Sequence, residues 1–80
     1  MSAPEKVFRL GLISASVFAN EVEGENGKRT VRNVNIQRRY NDEGTWKSAT
    51  SFGVADLPNA IRVLQLAQGY VESIEAEVQN

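Results

Sequence analysis

The sequence predicts an α+β fold, an antiparallel β-meander of three to four strands followed by one long C-terminal α-helix. Three observations predict it. Two alternating runs, Arg29 to Asn41 and Thr45 to Phe52, flank Asp42-Glu43-Gly44, where Gly can take the positive φ that closes a three-residue hairpin loop. Upstream, Val7 to Asn20 is rich in β-branched and aromatic residues and has no polar helical face. Downstream, Leu57, Ala60, Ile61, Leu64, Ala67, Val71, Ile74 and Val78 recur at three- and four-residue steps, the stripe of an amphipathic helix.

In chain order, Met1 to Glu5 reads as a disordered tail that Pro4 keeps extended, and residues 6–80 form one domain. The strand from Val7 changes phase: Phe8, Leu10 and Leu12 are apolar on even numbers, Ile13, Ala15 and Val17 on odd ones. Gly11 is the place for a bulge or sharp bend, and a break there makes the fourth strand. Beyond it, Ser14, Ser16 and Phe18 share the face opposite Ile13, Ala15 and Val17. Glu21 to Gly27, with two glycines and alternating acids, reads as a loop.

The three-residue turn sets the expected hairpin register. Asn41 then faces Thr45, Tyr40 faces Trp46, Arg38 faces Ser48, Ile36 faces Thr50 and Val34 faces Phe52. One face is Val34, Ile36, Tyr40, Trp46 and Phe52, which is core chemistry; by parity Trp46 packs there with Tyr40, the alternative being a ring exposed for stacking. The other is Asn33, Asn35, Gln37, Arg39, Lys47, Ala49 and Ser51, polar and free of acids.

The helix is expected to begin near Asp56, whose carboxylate caps free N–H groups, with Pro58 in the first turn, and to run to about Glu77, roughly 32 Å. A strand of about eight residues spans only roughly 27 Å. Val63, Leu66 and Tyr70 form a second apolar strip, more than one small sheet covers, so they are the expected interface of a homodimer. Gly69 reads either as a close-packing point between helices or as a weak spot.

With no cysteine and no histidine, disulfides, thiolate chemistry, imidazole bases and the common zinc sites are excluded. The loop acids lack the rigid cleft a hydrolytic pair needs, so no enzyme, cofactor or metal site is expected. No secretory signal or bilayer-length apolar run is evident, and a cytoplasmic protein without membrane contact is the expectation. The net charge of −1 conceals a segregation: Lys28, Arg29, Arg32, Arg38, Arg39 and Lys47 all fall in the hairpin region.

The run Ala15-Ser16-Val17-Phe18-Ala19-Asn20, then Val34-Asn35-Ile36-Gln37-Arg38-Arg39-Tyr40, Gly44-Thr45-Trp46-Lys47, Ser51-Phe52 and Asp56-Leu57-Pro58 before an apolar helix resembles a group of small bacterial proteins. Their meander and C-terminal helix are similar to the Whirly-like single-stranded-DNA-binding domain of transcriptional coactivators. The resemblance covers Lys6 to about Glu77 and implies a helix-paired dimer and a transcriptional cofactor that binds unpaired DNA or RNA on its sheets. Such binding asks for cations along the backbone and rings for bases to stack on. Arg39 and Lys47 are the expected phosphate ligands, Asn33, Asn35 and Gln37 the base-edge groups, and Phe18 the platform. Arg32 and Arg38 lie on the other parity and would reach around an edge. The alternative is a homodimeric interaction or structural domain whose polar face is merely solvated.

Overall fold

The computed structural model describes residues 3–76 and has the predicted architecture: four antiparallel strands in sequential order and one C-terminal helix. The strands are β1 (Lys6–Leu10), β2 (Ile13–Gly24), β3 (Gly27–Asp42) and β4 (Thr45–Ala49). A 3₁₀ turn, Val54–Asp56, leads into the helix α1 (Leu57–Glu75).

Gly11 does more than bend a strand. With φ at 59° it opens a two-residue turn, Gly11-Leu12, and Leu10 faces Ile13 across it. Glycine at the first central position is what a tight type II′ hairpin requires. The change of phase at this point therefore marks a reversal of the chain and supplies the fourth strand.

The expected loop from Glu21 to Gly27 is mostly strand. β2 continues to Gly24 and β3 starts at Gly27, leaving Glu25-Asn26 as the turn and Gly27 as its positive-φ residue, at 102°. The alternating acids fit the ladder because Glu23 sits directly opposite Lys28, and opposite charges facing across a pair stabilise it. The result is a ribbon that projects past the helix. It helps to stretch the molecule to 50 × 31 × 16 Å with a radius of gyration of 15.5 Å, against about 12 Å for a compact chain of this length.

The hairpin register differs by one residue from the expected one. Asp42 pairs with Thr45, so the loop is the two residues Glu43 and Gly44, both at positive φ, 53° and 89°. That is the primed turn whose twist matches the strands, and the Asn41 side-chain oxygen accepts the Gly44 N–H at 2.8 Å. A one-residue slip carries every β4 side chain to the opposite face. Asn41 now faces Trp46, Tyr40 faces Lys47 and Arg39 faces Ser48.

Glu43 is the only non-glycine residue at positive φ among the described residues. Left-handed backbone is disfavoured for a residue with a Cβ, and Asn tolerates it best. Glu43→Asn should therefore stabilise the fold by about 0.5–1 kcal/mol, raising the melting temperature by a few degrees. A three-residue loop would hold Glu43 at negative φ, and an unchanged urea midpoint would favour that register.

The core is small. Ile13, Ala15 and Val17 from β2 pack against Ala60, Val63 and Ala67 from α1, with Phe8, Leu10, Ile36, Phe52, Tyr70 and Val71 partly buried around them. Val63 and Tyr70 thus point into the molecule, Tyr70 meeting Phe8 edge-on with ring centroids 6.1 Å apart, and Leu66 is half-buried. The strip expected to form a dimer interface is the sheet-facing strip. α1 lies over β1 and β2 and touches β3 more lightly.

Asp56 precedes α1 but makes no side-chain cap to it. Its carboxylate accepts the Gly53 N–H at 3.0 Å and lies 3.6 Å from the Arg38 guanidinium. Pro58 sits in the first turn as expected. Within the single chain a Cβ on Gly69 would meet nothing within 4 Å, so no contact there calls for the glycine and it weakens the helix. The expected helix end at Glu77 and the stripe residue Val78 lie outside the described residues, as do Met1 and Ser2.

Glu5 is not part of a loose tail. Its N–H donates to the Val17 carbonyl at 2.7 Å, and its carboxylate accepts two hydrogen bonds from Arg32 at 2.9 and 3.2 Å. Arg32, and secondarily Tyr70, holds that carboxyl below its ordinary range. Among the described residues no helix is long and apolar enough to cross a membrane.

Candidate nucleic-acid interface

Strand pairing places each side chain on the inner face, toward α1, or on the outer face. Across the centre of the outer face run Arg9, Ser14 and Gln37, then Ser16 opposite Asn35 and Phe18 opposite Asn33. Arg39 opposite Ser48 and Asn41 opposite Trp46 extend it toward β4, while Val22 opposite Arg29 extends it along the ribbon. The four strands contain three acids, Glu21, Glu23 and Asp42. Alternation puts all three on the inner face. The outer face therefore carries Arg9, Arg29 and Arg39 with no strand carboxylate beside them, and none of the three is ion-paired among the described residues.

Of the residues expected at the site, Arg39, Phe18, Asn33, Asn35 and Gln37 do share this face. Lys47 does not. The register carries it to the inner face, where its Nζ lies 2.9 Å from the Asp42 carboxylate. Arg32 is also spent, on Glu5 and, at 3.4 Å, on Glu75. Arg38 donates to the Ser51 carbonyl at 3.0 Å and lies over the Tyr40 ring at 5.5 Å. These three cations fasten the inner face and the segment leading to α1. Ala49, expected among the polar residues, turns inward with them.

Trp46 makes the opposite move. Expected in the core with Tyr40, it stands on the outer face, 51% exposed, with the Arg39 guanidinium 5.0 Å from its ring centroid. Such a pair is a cation–π contact, and it sets the indole beside a guanidinium that has no ion pair among the described residues. Leu12, whose carbonyl accepts the Arg39 N–H at 2.8 Å, sits at the same end in the adjoining turn.

Arg9 and Trp46 could have been found in the sequence. Arg9 alternates with Phe8 and Leu10, so it must face away from the core once Gly11 is read as a turn. Trp46 depended on choosing the two-residue loop, the commonest hairpin connection, although Glu-Gly lacks the Asn-Gly signature. Arg29 was hidden because its partner Val22 read as loop.

The arrangement offers cations for phosphate oxygens, side-chain amides that both donate and accept for base edges, and two aromatic rings for stacking. Ser14, between Arg9 and Gln37, is buried beneath its exposed neighbours, so the longer side chains form the middle of this surface. No known protein family matches this chain, and no curated protein or solved structure matches it.

Proposed function

We propose that the chain binds single-stranded nucleic acid on the outer face of its sheet, in the manner of the coactivator-type domains it resembles, and acts as a transcriptional cofactor or regulator. The observation that carries this reading is the absence of strand acids from the outer face, whose three arginines stand without strand carboxylates while the inner-face cations share their side with Glu21, Glu23 and Asp42. Random solvation would scatter acids over both sides, whereas here three arginines share a surface with Phe18, Trp46 and five side-chain amides, those of Asn20, Asn33, Asn35, Gln37 and Asn41, and no strand acid. An open sheet face suits an unpaired strand, whose bases are free to stack. Among the described residues no basic helix is present to enter a duplex groove.

Mobility shifts with an unpaired oligonucleotide and its duplex at two salt concentrations test this. The unpaired strand should bind better and weaken as salt rises. Arg39→Ala should lower the salt slope by about 0.7, the loss of one phosphate contact. An unshifted oligonucleotide at low salt would leave the alternative, an interaction domain without nucleic-acid binding.

A second observation favours self-association, which either reading accommodates. Leu57, Ile61, Leu64 and Val71 lie along one side of α1, with Gln68 completing their four-three spacing over about 21 Å. Ile61 is 56% and Leu64 44% exposed. Beside this seam a groove of about 380 Å³ runs between α1 and β3, lined by Val34, Leu64, Ala67 and Val71 with Arg32 and Glu72 at its rim.

A second copy's helix fits this groove. The helix has one cation near its start, Arg62, and two acids near its end, Glu72 and Glu75, so antiparallel pairing brings unlike charges together. The accessible surface, 6169 Å² for 8.8 kDa, exceeds the compact expectation by about 1,400 Å²; the projecting ribbon takes part of this excess, and a standard interface covers roughly 800 Å² on each partner.

A further inference from the structure

We infer that the outer face holds two separate stacking stations, Trp46 at one end and Phe18 at the other, and that full affinity requires one strand long enough to occupy both. This rests on the single-strand reading above and adds to it a geometry of the ligand. Phe18 lies opposite Asn33 and Trp46 opposite Asn41, so eight residues of β3 separate their levels. At about 3.4 Å per residue that is roughly 27 Å along the sheet, and two strand spacings of about 4.8 Å across it make the diagonal roughly 29 Å. A strand stacked at 3.4 Å per nucleotide spans this with about nine or ten nucleotides, and fewer where it unstacks.

The stations differ in kind. Trp46 is already flanked by Arg39 at 5.0 Å, so one ring face is held by a cation and phosphate can be met at the same place. Phe18 is half-buried beside Asn33, with no cation over its ring among the described residues. Between them lie Asn35 and Gln37, which have no ring to offer and fit the edges of intervening bases. A short oligonucleotide therefore settles at Trp46, and only a longer one gains from Phe18.

Trp46 is the single tryptophan, so its fluorescence reports its own station. The experiment titrates wild type, Phe18→Leu and Phe18→Tyr with end-labelled oligothymidylates of 2, 4, 6, 8, 10 and 12 nucleotides, reading label anisotropy and indole quenching together. Leu keeps the apolar volume without a flat ring, and Tyr keeps the ring. Quenching is expected at every length that binds. Wild-type affinity should climb steeply and level off by about ten nucleotides. Phe18→Leu should match wild type for the shortest binding oligomers and fall about 5- to 150-fold behind at twelve, with Phe18→Tyr restoring the difference. An equal ratio between Phe18→Leu and wild type at all lengths, or binding without quenching, overturns the two-station geometry while leaving single-strand binding in place. No anisotropy change at any length overturns both.

Discussion

Leu64→Glu should give a folded monomer where the wild type sediments at twice 8.8 kDa. Leu64 is 44% exposed in the single chain and lies beside the sheet-facing strip, so a carboxylate there costs the monomer little. In an antiparallel pair the same carboxylate would enter an apolar seam without a partner. That weakens association by about 3 kcal/mol or more, a hundredfold or greater loss. Charge at Val63 would be a different experiment, because Val63 is fully buried and its replacement would report on folding. A wild type that is monomeric at tens of micromolar would remove the pairing, and a Leu64→Glu dimer would relocate it.

Trp46→Ala should weaken binding of a long unpaired oligonucleotide by about 5- to 150-fold, the roughly 1–3 kcal/mol of one base stacked on an aromatic ring. Lys47→Ala, one residue away, should change it by no more than about twofold, because a partly exposed ion pair on the far face contributes only through screened charge. The contrast follows from the register. With a three-residue loop Lys47 would share the face of Arg39 and Trp46 would be core, so Lys47→Ala would impair binding and Trp46→Ala would impair folding. The two variants, compared by affinity and by circular dichroism, separate the arrangements.

The fold was legible in the sequence because its strongest signals are periodic. The stripe from Leu57 to Ile74 and the alternation from Asn33 to Tyr40 each extend over several turns or pleats, and no competing structure satisfies them. The site was legible only along β3 and β2, where Asn33, Asn35, Gln37, Arg39 and Phe18 keep one phase. β4 is five residues long, and Trp46-Lys47-Ser48-Ala49 alternates plausibly in either phase. Its facing therefore hung on the turn alone, and one residue of loop length exchanged Lys47 for Trp46. The strip expected to pair two copies faces the sheet instead, for a related reason. The helix has two adjacent apolar sides, and periodicity does not say which of them the sheet covers. The answer lies in burial, with Val63 and Ala67 inward and Ile61 and Leu64 outward.

The claim that the outer sheet face takes up an unpaired strand is tested most directly by following side-chain resonances in solution during titration with a twelve-nucleotide single strand. The Trp46 indole N–H and the side-chain amides of Asn33, Asn35 and Gln37 should shift together and saturate at one ratio, while Gln65 and Gln68 on the helix stay in place. Shifts confined to Gln65 and Gln68, or none on the sheet at saturating strand, would contradict the account.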